Sequence, residues 1–211
     1  MGGHYPRRSN DARLYALEEI KMTDKFLTVN QYSRPGKKLK GVQGIVLHWT
    51  GSPGQNAETV WAFFEKSCPH EKHYSSAHYI IDQDGTILHC IPDTEMAYHV
   101  GSSQIDPHSG KIYTELARFL FGEYARNPAT LSPNQCTIGI EMCPIDGAGN
   151  FSAATLESAK FLVWLLMEKH GVPVERVVTH NQIVGWKDCP RLWVNHPEKF
   201  EVFKSELEAR T

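Results

Sequence analysis

The sequence has no apolar run near the roughly 20 residues a membrane-spanning helix needs, so no bilayer insertion is expected. Its first residues, Met1 to Arg8, carry positive charge, but no apolar stretch follows, so they are not a secretory signal. Synthesis in the cytoplasm is therefore expected, with release or non-classical export needed for any role outside. Charge of one sign is lacking too. A formal net charge of -2 gives no bulk attraction to nucleic acid or anionic membrane, and neither is an expected partner. The five cysteines (68, 90, 136, 143 and 189) are too scattered for a disulfide scaffold, and their odd number leaves one over. Internal repeats and low-complexity tracts are absent as well.

What is there suits one globular core. The 211 residues are 41% hydrophobic and 22% charged, ordinary values for a folded domain. Residues 1–40 are polar and basic and read as an arm packed on the domain, with one short helix around 11–22; residues 41–211 form the domain itself. Gly44-Ile45-Val46-Leu47-His48-Trp49 reads as a buried strand, followed by a helix capped by Asn56 with Val60, Trp61, Phe63 and Phe64 as its apolar face. Strands at 78–82 and 86–90 flank Gln83-Asp84-Gly85, a hairpin signal. Further strands are expected at 136–142 and 177–180. The longest helix runs from Ser152 to His170, with Leu156, Leu162, Leu165 and Leu166 buried, and stops at Gly171. A last helix starts near Asn195, with Pro197 in its first turn and Phe200, Phe203 and Leu207 as its stripe. Strands interleaved with helices indicate an α/β fold with a central mixed sheet flanked by helices.

Two histidines draw attention by position. His48 closes one apolar strand and His180 another, and an irregular loop, 181–187, runs from His180 to Asp188-Cys189-Pro190. Imidazole nitrogen and thiolate are zinc ligands, and three of them leave a fourth corner of the tetrahedron for water. Spacing alone leaves a second reading open, in which Cys189 is a buried hydrophobe and the histidines are unrelated. Glu141 lies within an apolar strand whose Gly139, Glu141 and Cys143 face one way and Ile138, Ile140 and Met142 the other. A carboxylate there is paired, metal-linked or functional. Cys68-Pro69-His70 with His73 looks like another ligand cluster, but a solvated loop between helix and strand is the reading its position favours.

Five segments occur together in order: Ile45-Val46-Leu47-His48-Trp49-Thr50, Ser76-Ala77-His78-Tyr79-Ile80-Ile81, Ala97-Tyr98-His99-Val100-Gly101, Ile138-Gly139-Ile140-Glu141-Met142-Cys143, and Val178-Thr179-His180 with Trp186-Lys187-Asp188-Cys189-Pro190. Over about residues 43–205 the chain thereby resembles the type 2 N-acetylmuramoyl-L-alanine amidases, which include phage and prophage lysins and are similar in fold to the peptidoglycan recognition proteins. The resemblance implies Zn2+ at one edge of the sheet, held by His48, His180 and Cys189. Asp188 is a rival third ligand, and the Lys-x-Cys-Pro context favours Cys189. It implies catalytic roles for Glu141 as general base and acid, and for Lys187 as the charge that stabilises an oxyanion. His78 and His99 match motif positions as non-ligands near the substrate: His78 buried and hydrogen-bonded, His99 lining the groove. Where some members carry a catalytic tyrosine this chain has Ala77, which shifts the burden onto Glu141. Residues 102–133, with a helix expected over 114–125, are an insertion near the groove.

The function implied is hydrolysis of the bond between N-acetylmuramic acid and L-alanine in peptidoglycan or muropeptides, as an endolysin or autolysin acting on the wall after release. Two other classes remain: a non-catalytic peptidoglycan-binding module, and an intracellular amidase that recycles muropeptides. Both histidines, Cys189, Glu141 and Lys187 are all present, which favours catalysis, and the Lys-Asp-Cys-Pro run favours a lysin.

Overall fold

The computed structural model describes residues 20–209. The helix expected around 11–22 lies outside the described residues except at its end, where Met22 begins a strand instead. That strand, β1 (Met22–Asp24), is followed by β2 (Gly44–Trp49), β3 (Tyr79–Ile81), β4 (Ile87–His89), β5 (Thr137–Met142) and β6 (Val177–Thr179). They form one six-stranded sheet in the order β1-β4-β3-β5-β2-β6. Only the β3–β4 hairpin pairs antiparallel; all other neighbours are parallel, so the sheet is mixed. β1 was not expected: its three residues are all exposed and carry no apolar pattern.

The two faces of the sheet bury different residues. Ile45, Leu47, Ile138, Ile140, Met142 and Val177 pack into one cluster with Leu162, Val163, Leu166, Phe200, Phe203 and Leu207, all from helices on that side. Val46 and Val178 point the other way, into a cluster with Val100, Tyr113, Phe121 and Ile183. The period-2 alternation of β2 and β5 therefore holds, and His48 and Glu141 fall on the second face.

Helices α1 (Ala57–Ala62) and α2 (Cys68–Glu71) are joined by a π-helical turn, so the expected solvated loop at Cys68 is helical instead. Cys68 is buried in the core, whereas His70 and His73 are exposed, so no ligand cluster forms there. Phe63 is also exposed, because the wider π turn rotates it off the apolar face formed by Val60 and Phe64. The helix expected over 114–125 is two short ones, α3 (Glu115–Leu120) and α4 (Glu123–Arg126). Between them Gly122 takes a φ of 52°, which a helix interior does not admit.

Helix α5 (Ala153–His170) is the longest and is anchored at both ends by polar contacts. At its start, Thr155 donates to the Asp82 carbonyl at 2.8 Å and Ser158 to the Gly85 carbonyl at 2.7 Å, which fixes the helix on the β3–β4 turn. Leu156 and Leu165 are only partly buried, and the buried face instead includes Ala159, Val163 and Met167 beside Leu162 and Leu166. Helices α6 (His180–Val184), α7 (Arg191–Asn195) and α8 (Pro197–Glu208) complete the chain, with Trp193 packed on Phe151, Phe200 and Phe203. No helix among the described residues is long and apolar enough to cross a membrane.

At the other end of α5, the buried Asp93 carboxylate accepts from Lys169 at 2.8 Å, from His170 at 3.1 Å and from the Tyr79 hydroxyl at 2.7 Å. His89 lies between Asp93 and Asp24, 2.8 Å from the latter, and so ties β1 to this junction. Burial alone would raise the Asp93 pKa, but His89, Lys169, Tyr79 and His170 outweigh it and hold the carboxyl well below its ordinary range. Burial alone would lower the His89 pKa, and the carboxylates of Asp93 and Asp24 outweigh that and hold it above the ordinary value.

Two outcomes follow. Asp93→Asn should cost about 3 kcal/mol, the scale for removing one partner of a buried charged group. The His89 contribution should be complete below its unfolded pKa of about 6.5 and be lost as pH rises through the higher folded value. Urea unfolding at pH 6 and pH 9 measures both, and equal stability of Asp93→Asn and parent at pH 6 would sink the assignment. A chain beginning at Leu39 should also be less stable. It would lose β1, the fully buried Leu27 and the paired hydrogen bonds from Arg34 to Glu95 at 2.7 and 2.8 Å. Leucine burial alone is worth about 2–5 kcal/mol, so an unchanged melting temperature would contradict this.

Candidate metal and catalytic centre

The centre forms at the carboxyl ends of β2, β5 and β6, where parallel strands leave a crevice. β2 runs between the other two, and its register sets His48 directly opposite Glu141. Neighbours in register on parallel strands point to the same face, so the imidazole and the carboxylate share one side of the sheet.

His180 arrives differently from expectation. It is not the last residue of a strand leading into a loop but the first residue of α6. Thr179 caps that helix by accepting from the Gln182 amide, and the Gln182 side chain accepts from the Thr179 amide at 2.9 Å. This capping box was readable as Thr-x-x-Gln in the sequence. Asn181, which sequence reasoning passed over, then secures the following turn. Its side chain donates to the Lys187 carbonyl at 2.9 Å and its amide to the Cys189 carbonyl at 2.8 Å, which returns Cys189 to His180.

The ring nitrogens and the thiol converge. His180 Nδ1 lies 3.0 Å from His48 Nδ1, and Cys189 Sγ lies 3.8 Å from the same nitrogen. One ligand atom from each of the three lies within 4.8 Å of the others, and all three residues are buried. Among the described residues no other group of three or more histidine, cysteine or carboxylate side chains meets that condition. Asp188 points elsewhere: its carboxylate is exposed and accepts from Arg191 Nε at 2.6 Å. The geometry thus separates the two rivals, with Cys189 inside the group and Asp188 outside it.

Burial, and then the charges of His180, His99 and Lys187, hold His48 well below the ordinary histidine pKa. Burial followed by Lys187 does the same to His180, so both rings are neutral and able to offer a lone pair. Burial pushes the Cys189 thiol far up. It pushes Glu141 up to about 8, with Lys187 opposing. One carboxylate oxygen of Glu141, Oε2, is buried with no hydrogen-bond partner. Lys187 itself is exposed at the rim, between Trp186 and Asp188.

The two remaining motif histidines are buried. His78 is fully buried: its Nδ1 accepts from the Gly139 amide at 3.0 Å, and its Nε2 donates to the Glu95 carbonyl at 2.9 Å. His99, expected to line the groove, is also buried, with Nδ1 3.0 Å from His48 Nε2. Its ring sits over Gly139, where a Cβ would come within 2.5 Å of it. Ala77 is fully buried in a hydrophobic cluster with Phe64 and Ile80. The 102–133 insertion braces the centre: Thr114 donates to the Gln182 carbonyl at 2.6 Å, and Ser102 meets Trp186 Nε1 at 3.3 Å.

Comparison with known proteins agrees with this architecture. The sequence profile of the N-acetylmuramoyl-L-alanine amidase family matches residues 37–192. A protein of Bacillus licheniformis described as a "Probable N-acetylmuramoyl-L-alanine amidase" is 33% identical over 192 residues, covering 90% of this chain and 48% of its own length. The N-acetylmuramoyl-L-alanine amidase BlyA of Bacillus subtilis is 34% identical over 191 residues, covering 89% and 47%. The chain thus spans about half the length of the curated relatives it matches. An endolysin mutant from Bacillus subtilis superposes with a TM-score of 0.63 at 23% identity, covering 89% of this chain and 99% of that one. The PlyG catalytic domain superposes with a TM-score of 0.65 at 18% identity, covering 90% and 94%. With the profile spanning most of the chain and the fold shared, the chain belongs to the N-acetylmuramoyl-L-alanine amidase family.

Proposed function

We propose that this chain hydrolyses the amide between N-acetylmuramic acid and L-alanine in peptidoglycan or its soluble fragments, as a zinc enzyme. The observation that carries the reading is the meeting of His48 Nδ1, His180 Nδ1 and Cys189 Sγ beside the unpaired, buried Glu141 oxygen. Ligand atoms on a zinc tetrahedron stand about 3.3–3.6 Å apart. The observed 3.0 and 3.8 Å bracket those values. The donor chemistry fits as well. Two neutral imidazoles and a buried thiol form an apolar, uncharged recess, and a thiolate becomes tenable there only with a cation beside it.

Zinc held by these three residues would supply Lewis acidity to the attacking water and to the scissile carbonyl. The protein's own groups do the rest. Glu141 takes the proton of the attacking water and delivers it to the departing alanine nitrogen; burial favours its protonated form, which acts as the acid, and Lys187 opposes that shift in favour of the carboxylate, which acts as the base. Lys187 places a positive charge at the mouth of the centre, where the carbonyl oxygen becomes negative. Reaching the wall from the cytoplasm requires release or export, whereas soluble muropeptides do not.

Digestion of purified peptidoglycan with analysis of the new ends by mass spectrometry tests the reaction. New L-alanine amino termini are expected, and new reducing sugar ends would overturn it. Metal analysis should find about one zinc per chain, strongly reduced in Cys189→Ser and unchanged in Asp188→Asn. The reverse pattern would reassign the third ligand. Glu141→Gln should keep its zinc while kcat falls by roughly 10²–10⁴. Lys187→Ala should also retain zinc and lose activity to a similar extent. Near-normal turnover by zinc-loaded Glu141→Gln would mean that another group is the base.

A further inference from the structure

His99 lies outside the ligand group, yet it is buried against His48 in a position that leaves little freedom. Its ring occupies the space that Gly139 leaves in the middle of β5. Its backbone amide and that of Val100 both donate to Asn134 Oδ1, at 3.0 and 2.8 Å. At 3.2 and 3.3 Å from its Nε2 lie the hydroxyl and the carbonyl oxygen of Thr137.

We propose that His99 is a positioning residue that fixes which ring nitrogen of His48 is bare and so able to take a metal. The argument is one of counting hydrogens. The Thr137 hydroxyl donates to the Pro133 carbonyl at 2.7 Å, so its hydrogen is engaged. Toward His99 both Thr137 oxygens can therefore only accept, and His99 Nε2 must be the N–H. A neutral imidazole carries a single N–H, so His99 Nδ1 is an acceptor. The only ring nitrogen of His48 facing it, at 3.0 Å, is Nε2, which must then be the donor. His48 Nδ1 is left with a free lone pair, and it is this nitrogen that faces His180 and Cys189. His78 does not compete for the same positions, because both its nitrogens are engaged by Gly139 and Glu95.

Ligand histidines commonly have the second nitrogen held by a carboxylate, a carbonyl or water, and losing such a partner costs roughly 10–100-fold in metal affinity. Here a second imidazole is inserted between the ligand and the carbonyl. His180 has no such relay among its hydrogen bonds: its Nδ1 meets His48 alone, so no partner behind it presets which of its nitrogens is bare. The preset ligand is His48.

The consequence for metal binding rests on the zinc reading above, but the tautomer is a property of the metal-free chain and is measured without zinc or substrate. Long-range proton–nitrogen NMR correlations on the metal-free protein should show Nε2 protonated and Nδ1 bare on both His48 and His99. Protonated Nδ1 on either ring overturns the proposal. Zinc affinity, titrated in competition with a chromophoric chelator, should fall roughly 10–100-fold in His99→Phe, which keeps the ring and removes the acceptor. His99→Asn, whose Oδ1 can accept near the position of Nδ1, should recover most of that loss. Parent-like zinc affinity in His99→Phe, or equal losses in the Phe and Asn variants, would likewise overturn it. If the expected tautomers and zinc affinities appear but no muramoyl-L-alanine bond is cut, the proposed reaction fails while this relay stands.

Discussion

The parallel pairing of β2 with its two neighbours is the constraint on which the rest of this structure depends. It sets His48 opposite Glu141 across one strand boundary, and across the other it brings Thr179 alongside Leu47, so that His180 follows immediately beyond the edge of the sheet. A slip of one residue in either ladder would turn His48 or Glu141 to the opposite face, into the packed helices. Both strands bury Ile, Leu or Met at the alternate positions, and that apolar side locks the register. The core therefore positions the chemistry: the same residues that exclude water beneath the sheet determine what points out above it.

That placement is costly for the groups concerned. Three histidines, a thiol and a carboxylate share a recess from which water is largely removed, and each shifts toward its uncharged form. Neutral histidines are what the site requires if it is to bind a cation. The thiol and the carboxylate are different, because burial opposes the ionised form each would use. A divalent cation would relieve the thiol, and Lys187 partly relieves the carboxylate. The hydrogen bonds behind His48 extend this logic, since Gly139, Asn134 and Thr137 place a further ring against His48 Nε2, the nitrogen that faces away from His180 and Cys189.

Around this centre the supports are polar and local. The capping box of α6, the Asn181 side chain and Thr114 from the 102–133 segment hold His180 and Cys189 in relation to each other. On the far side, Asp93 gathers Tyr79, Lys169 and His170, and its neighbour His89 links it to Asp24 of β1. The described part of the arm is thus bound into the sheet, with Leu27 in the core.

The sequence by itself determined the alternation of β2 and β5, the β3–β4 turn, the caps of α5 and the apolar stripe of α8, because each depends on neighbours a few residues apart. It also read His48 and His180 at strand ends, Glu141 within a strand and Cys189 on the loop after His180, and their motifs carried the family resemblance. Tertiary structure alone decided the rest. β1 has no apolar pattern because its residues are exposed and it is held by backbone pairing with β4, which leaves no mark on composition. That Cys189 packs beside the histidines while the Asp188 carboxylate pairs with Arg191 could not be read from adjacent positions. The burial of His99 was hidden for a related reason. The space it fills is made by a missing Cβ on Gly139, 40 residues away in the chain, and only folding brings the two together.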